Sequence, residues 1–151
     1  MVLDVEQCNK AIGPFVGLDF GEKTIGVSVS RNNVAIGVTT LTRDNPQALR
    51  QNLKDLKDIL RNYGVRDIVL GYPMYLDGNQ SPRCVATLEF KAKLERYFKS
   101  ATVHLWDERL STAAVTRTFS GKKEQYKTHV DEMAAIYILQ GFLDAKLKEQ
   151  L

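Results

Sequence analysis

The sequence predicts an α/β fold in which a mixed five-stranded sheet is flanked by helices. The opening part of the chain contains three short segments rich in β-branched and apolar residues, separated by turn residues. Two further strand-like segments then alternate with helical segments, and the chain ends in a long apolar helical pattern. No repeat or Pro/Gly-rich linker interrupts this order, so we expect one domain spanning residues 1–151.

The first three strands are expected at residues 15–20, 25–30 and 34–41. A Gly-Glu-Lys turn at 21–23 separates the first two, and an Arg-Asn-Asn turn at 31–33 separates the second pair. Because both turns are short, the three strands should pair antiparallel as consecutive hairpins.

A helix is expected to follow Asn45-Pro46. Its leucines at positions 49, 53, 56 and 60 recur at helical spacing, and Gly64 marks its end. Residues 67–72 then form a nearly continuous apolar run, which is typical of a strand covered on both faces.

A loop over residues 73–80 leads to a second helix start, with Ser81 as the cap and Pro82 in the first turn. This helix is expected to continue towards Lys99, and a strand follows at residues 102–106.

Two helices are predicted for the last part of the chain. Residues 107–112 lead into the first, which ends near Gly121, where a polar, basic segment over 121–129 is interpreted as a mobile loop. The final helix begins near Thr128, and its run 133–139 is apolar around the whole circumference. Such a run predicts packing against the sheet and its neighbours.

Composition excludes several classes of protein. The 21 lysines and arginines against 18 acids give a formal charge of +3, which is mild and does not identify a partner. Cys8 and Cys84 lie far apart, so neither a disulfide framework nor a zinc site is indicated. No apolar run reaches the ~20 residues that span a bilayer. We therefore expect a soluble, untargeted cytoplasmic protein with no membrane partner.

Three acids are the candidate catalytic and metal-binding residues. Asp19 stands in an otherwise apolar strand, on the face opposite its apolar neighbours, where a charged carboxylate needs a cation or hydrogen bonds. Glu108 follows another predicted strand, and Asp131 is assigned to the first turn of the last helix. Ala134 and Ala135 would let that helix approach the sheet, so the three acids can converge.

Converging carboxylates repel one another unless protons or cations intervene, and their hard oxygen atoms suit Mg²⁺ or Mn²⁺. Each acid also has an ordinary structural interpretation. Asp19 could form a turn, Glu108 could cap a helix, and Asp131 could be a favourable charge at a helix start. The order of the elements favours a shared site over three separate explanations.

Basic side chains near these acids could hold nucleic-acid phosphates, although an ordinary solvated surface role is favoured for the lysines of the 121–129 loop and is equally open for Arg109. The candidates for nucleic-acid binding are Lys23, Arg109, Lys122, Lys123 and Lys127.

Several neighbouring residues have open roles. Asp107 could assist or replace Glu108, because adjacent residues of an extended chain face opposite ways. His129 could relay protons or simply begin a helix. Tyr72 and Tyr75 could stack on a base, with core packing the favoured role for Tyr72, and Cys84 is interpreted as an apolar filler.

Four motifs resemble the YqgF/RuvX family, whose members are described as Holliday-junction-resolvase-like and as candidate nucleases of pre-16S ribosomal RNA. They are the opening hairpin at 17–30, the strand and loop at 68–78, the Asp-Glu-Arg-Leu-Ser-Thr hexapeptide at 107–112, and the helix segment at 130–139. Thr24, Arg31 and Tyr75 depart from the usual family residues, which affects expected substrate contacts more than the metal site.

The resemblance implies a ribonuclease H-like fold with Asp19, Glu108 and Asp131 as the active-site acids. Hydrolysis of a phosphodiester by two metals would place two Mg²⁺ or Mn²⁺ ions on these acids. The resemblance further implies a nuclease acting in 5′-end maturation of pre-16S ribosomal RNA. The alternatives are a resolvase of branched DNA, which would call for a homodimer with two active sites, and a non-catalytic nucleic-acid-binding module.

An ATPase or sugar kinase is a further alternative, because Asp19, Gly21 and Thr24 resemble the phosphate-binding turn of those enzymes. Such enzymes close two domains on a nucleotide. The length of this chain argues against that class.

Overall fold

A computed structural model describes residues 12–110 and 127–149, with side chains for 12–109 and 131–149. Short 3₁₀ turns at Pro46–Ala48 and Glu108–Leu110 complete the described elements. The strands and helices are β1 (Phe15–Phe20), β2 (Thr24–Arg31), β3 (Val34–Thr42), α1 (Leu49–Tyr63), β4 (Asp67–Tyr72), α2 (Pro82–Tyr97), β5 (Thr102–Asp107) and α3 (Lys127–Glu149).

The five strands form one mixed sheet in the order β3-β2-β1-β4-β5. β1, β2 and β3 pair antiparallel as consecutive hairpins, whereas β4 runs parallel to both β1 and β5. This arrangement confirms the predicted sheet. Because β1, β4 and β5 are parallel, their carboxyl ends lie at one edge of the sheet.

Helices cover both faces of the sheet. On one face, α1 and α2 enclose a core that includes Leu18, Leu56 and Phe90. On the other face, α3 packs Ile138 and Leu139 against Val69 of β4. The alternation of side chains along each strand therefore divides the sheet into an α1/α2 face and an α3 face.

Glycines bring α3 unusually close to the sheet. A Cβ atom added to Gly26 would lie 2.0 Å from the main-chain oxygen of Asp131, and one added to Gly17 would lie 2.6 Å from Cβ of Leu139. No larger residue fits at either position without moving the helix. The close approach therefore depends on glycines of the strands as well as on the buried Ala135 that was expected to permit it.

The start of α3 corrects two sequence predictions. The helix begins at Lys127, so residues 127–129 are helical rather than part of a loop. Asp131 consequently lies beyond the first turn, and the helix dipole acts on it less than expected. The remainder of the predicted loop, and the predicted helix after the 3₁₀ turn at Glu108–Leu110, fall outside the described residues.

Two side-chain predictions also differ. Ser81 stands at the N-cap of α2, but its hydroxyl donates to the main-chain oxygen of Pro73 at 2.6 Å instead of capping the helix. Met133 of α3 is 36% exposed, so the apolar run is not buried on every side.

Gly64 ends α1, as predicted, and adopts the left-handed conformation with φ of 65°. Within the described residues, no helix combines the length and apolarity needed to cross a bilayer.

Candidate active site

Asp19 lies on the α3 face of the sheet, near the carboxyl end of β1. It pairs with Gly26 of β2 and shares its face of the strand with Gly17, whose main chain touches α3. Its side chain is partly exposed, which leaves room for a ligand beside the strand end.

Asp131 lies next to Asp19 because its main chain rests on Gly26, the residue paired with Asp19. One carboxylate oxygen of Asp131, Oδ2, is buried and has no hydrogen-bond partner among the described residues. A buried carboxylate oxygen without a partner is costly, and a cation would satisfy it. This oxygen is the strongest indication in the site of a missing positive ligand.

Glu108 occupies the same face on the other side of β1. It directly follows β5, is only 7% exposed, and its carboxyl carbon lies 3.2 Å from the position that a Cβ on Gly71 would take. Gly71 also touches Ile138 of α3, so Glu108 faces the same helix as Asp131. Three acids from β1, the end of β5 and α3 thus lie at one edge and on one face of the sheet.

The donor set fits a hard divalent cation, since it consists of carboxylate oxygens and includes the unpartnered Oδ2 of Asp131. The fit is incomplete in one respect. Among the described residues, no three acidic, histidine or cysteine side chains come close enough together to hold a metal ion unaided. A cation held by these acids would therefore take its remaining ligands from water or substrate.

Asp107 is engaged elsewhere. Its carboxylate accepts two bonds from Nε of Arg109 at 3.0 Å and one from Nη2 at 2.6 Å, and the main-chain N–H of Arg109 donates to it as well. These side-chain hydrogen bonds hold the pKa of Asp107 below its ordinary value and raise the pKa of Arg109. Asp107 is therefore a poorer candidate ligand than Glu108.

The predicted phosphate-binding residues are only partly described. Lys23 is exposed on the β1–β2 turn and lines a cleft of about 270 Å³ with Phe20, and Arg109 is paired with Asp107. Lys122 and Lys123 lie outside the described residues. Lys127 begins α3, but its side chain, like that of His129, also lies outside what is described.

The aromatic residues of the following loop have different environments. Tyr72 is half-buried, and its hydroxyl accepts a hydrogen bond from Gln80 at 3.0 Å. Burial raises its pKa, with a further contribution from its hydrogen bond to Cys84. Tyr75 is 52% exposed, and Cys84 is fully buried, as expected of an apolar filler.

Two arginines that the sequence did not single out secure the turn after Asp19. Arg83 of α2 donates to the main-chain oxygen of Phe20 at 2.6 Å, and Arg43 donates to that of Gly21. The Arg43 guanidinium also lies 4.7 Å from the Phe20 ring centroid, and burial lowers its pKa. No local pattern could have revealed these contacts, because they join residues 63 and 22 positions apart.

Similarity to known proteins identifies the family. The family model for RuvX, described as a Holliday junction resolvase, matches residues 13–145. A protein of Agathobacter rectalis called "Putative pre-16S rRNA nuclease" is 43% identical over 134 residues, covering 85% of this chain and 93% of the relative. A protein of Myxococcus xanthus with the same name is 41% identical over 135 residues, covering 86% and 87%.

Solved structures show the same fold at low sequence identity. Thermus thermophilus RuvC in complex with a Holliday junction substrate superposes with a TM-score of 0.58 at 14% identity, covering 90% of this chain and 96% of that protein. A second structure of Thermus thermophilus RuvC gives a TM-score of 0.54 at 13% identity, with coverages of 89% and 96%. The fold is thus the ribonuclease H-like fold of these resolvases, and the family match over most of the sequence shows that the chain belongs to the RuvX family.

Proposed function

We propose that this protein is a metal-dependent nuclease that hydrolyses phosphodiester bonds in the 5′-end maturation of pre-16S ribosomal RNA. The observation that carries the proposal is the acidic cluster of Asp19, Glu108 and Asp131 on one face of the sheet, with an unpartnered buried oxygen on Asp131. The name shared by the curated relatives supports the choice of RNA substrate.

Asp19, Glu108 and Asp131 would hold the metal, with two Mg²⁺ or Mn²⁺ ions as the proposed complement. Bound ions would supply charge neutralisation at the scissile phosphate and an activated water molecule. In hydrolysis, the water oxygen forms a bond to phosphorus, the bond to the leaving oxygen breaks, and that oxygen receives a proton. Asp19 would hold the ions together with both other acids, because β1 lies between β2, against which Asp131 rests, and β4, against which Glu108 packs.

The chain's own residues also shape the site. Burial of Glu108 against Gly71 limits the conformations of its side chain, so little ordering is needed when it binds a cation. Arg83 and Arg43 fix the main chain directly after Asp19 and so restrain the direction of that carboxylate. Lys23, on the same turn, is kept as a proposed phosphate contact at the strand end, and the cleft that it lines with Phe20 opens on the α1/α2 face.

Cleavage of branched DNA is the second candidate, favoured by the description of the family model as a Holliday junction resolvase. Paired cuts in a junction require two active sites, so this function implies a homodimer on DNA. A non-catalytic nucleic-acid-binding module is the third candidate function. It would not explain why Asp19, Glu108 and Asp131 lie on one face of the sheet.

The three functions are separated by one set of substrates. Purified protein is incubated with end-labelled RNA carrying the 16S 5′ precursor region, with a four-way DNA junction and with linear duplex DNA, each with Mg²⁺, Mn²⁺ or EDTA. We expect metal-dependent cleavage of the RNA, and loss of it in Asp19→Asn. Cleavage confined to the junction would establish the resolvase instead, and binding without metal-stimulated cleavage would establish the module.

A further inference from the structure

A basic groove lies at the end of the molecule opposite the acidic cluster. It has a volume of about 810 Å³ and is enclosed by the carboxyl ends of α1 and α2 and by the segments that enter β4 and β5. The basic groove is defined by four exposed cations that line it, Lys57, Arg61, Arg66 and Lys99.

No ion pair among the described residues balances the charge of the basic groove. No acidic residue belongs to its described lining, and none of the four cations takes part in the ion pairs found among the described residues. Four like charges around one concavity raise its positive potential and attract a polyanion. The remaining lining includes Tyr97, which is 39% exposed and offers a ring face to a nucleobase.

Capping of the helix ends does not account for these cations. Cations are favoured near helix carboxyl ends, but here main-chain N–H groups already bond to the terminal carbonyls. Gly64 donates to Leu60 and Arg61, Val65 donates to Leu60 at 2.8 Å, and Phe98 donates to Leu94 at 2.8 Å. The half-charges of two helix ends offset about one of the four positive charges, so the basic groove stays strongly positive.

Helix α2 runs from the turn after Asp19 to the basic groove on the α1/α2 face, so a strand that follows it from the acidic cluster would pass around the carboxyl-terminal edge of the sheet. Near the start of this helix, Arg83 binds the main chain beside Asp19, and at its end Tyr97 lines the basic groove. Its 16 residues span roughly 24 Å at 1.5 Å per residue. At the roughly 3.4 Å rise per nucleotide of a stacked strand, this length corresponds to about seven nucleotides.

We propose that the basic groove is a second nucleic-acid site, which binds the phosphate backbone of a strand about seven nucleotides from the bond cleaved at the acidic cluster. The inference rests on the proposed nuclease function for the identity of the strand. The groove itself is tested by binding alone, so the two can fail separately.

The test compares two double variants of α1 and its flank by fluorescence anisotropy of a labelled single-stranded RNA of about 20 nucleotides in EDTA. In the groove variant, Arg61→Gln and Arg66→Gln remove two lining cations. In the matched control, Arg50→Gln and Lys54→Gln remove two exposed cations of α1 that do not line the basic groove. Both proteins lose the same charge, and their melting curves verify folding.

We expect the groove variant to weaken RNA binding and to lower the slope of log Kd against log salt by about 1.4, because each phosphate contact on a single strand contributes about 0.7. Between about 50 and 200 mM KCl, its affinity should therefore fall about sevenfold less than that of the unchanged protein. The control should keep the original slope.

An equal loss in both variants would overturn the proposal, since a general charge effect would then explain the binding. Poly-glutamate that competes as strongly as RNA of the same length would also overturn it, because the basic groove would then be an acceptor of acidic protein. If the groove variant loses RNA binding but no preparation cleaves RNA, the groove stands and the nuclease function fails.

Discussion

Because Oδ2 of Asp131 is buried without a partner among the described residues, we predict that a cation binds there, and this binding can be measured without catalysis. Mg²⁺ or Mn²⁺ should stabilise the folded protein, by about 2.7 kcal/mol at 100 times Kd, or roughly 5 to 10 °C in Tm. Asp131→Asn should abolish this shift because it removes the charge that the cation neutralises. Thermal melts with and without metal measure it.

The matched control is the next residue of the same helix. Glu132 contacts Gly37 of β3, away from the acidic cluster, so Glu132→Gln should retain the full metal-dependent shift in Tm. An unchanged shift in Asp131→Asn would show that any stabilising metal binds elsewhere on the protein.

Asp107 and Glu108 were alternatives in the sequence, and their environments now separate them. Glu108 is buried on the α3 face, whereas Asp107 is held by Arg109. Glu108→Gln should reduce kcat by at least the roughly 10–100-fold found for residues that support a metal ligand. Asp107→Asn should cost less than this, and the opposite ranking of kcat would reverse the assignment.

The Asp107–Arg109 pair also gives the stability of the protein a defined pH dependence in EDTA. Hydrogen bonding from Arg109 lowers the pKa of Asp107 in the folded state below its ordinary value of 3.8. The charge of Asp77 also acts on Arg109. The contribution of the ionised Asp107 to the free energy of unfolding is therefore fully present above pH 3.8. It is lost as the pH falls through the pKa of Asp107 in the folded protein. Urea melts should show the unchanged protein to be more stable than Asp107→Asn at pH 6, with the two converging in acid.

At the scale of whole elements, the contact between β2 and α3 links stability to the site. Gly26→Ala would place a Cβ 2.0 Å from the main-chain oxygen of Asp131, so α3 must move. We expect a loss of about 1–3 kcal/mol in the free energy of unfolding, typical of overpacking, together with loss of the metal-dependent Tm shift because Asp131 is displaced.

Gly64→Ala serves as the comparison for that variant. It places an alanine in the left-handed conformation that Gly64 adopts at the end of α1, costing about 1–2 kcal/mol, but no described residue lies within 4 Å of the added Cβ. The metal-dependent shift should survive there despite similar destabilisation in urea. Equal loss of the shift in both variants would mean that instability alone, rather than the position of Asp131, abolishes metal binding.

The same elements show what the sequence could predict. All five strands and the end of α1 at Gly64 were predictable because alternation and turn residues act locally. A metal site shared by Asp19, Glu108 and Asp131 stays a prediction, which the order of the strands favours. The contacts of Arg43 and Arg83 and the glycine approach at Gly26 were not predictable, because they depend on partners distant in the chain.

At the scale of the whole molecule, we expect the acidic cluster to cleave a long substrate and the basic groove at the other end to bind it. Removing groove cations should raise KM for RNA that spans both places, while leaving kcat unchanged. Because the two places are roughly 24 Å apart, the effects of the groove variant and of Glu108→Gln on kcat/KM should multiply. Steady-state cleavage by the two variants and their combination measures this independence.

Substrate length provides the decisive comparison. An RNA that ends within about two nucleotides of the cleaved bond is too short to reach the basic groove from the acidic cluster, since about seven nucleotides of stacked strand separate the two places. Its kcat/KM should therefore be the same in the groove variant and in the unchanged protein, whereas longer RNA should lose efficiency in the variant. Equal losses on short and long RNA would mean that the two arginines act on the acidic cluster through the fold and not by holding a distant part of the strand.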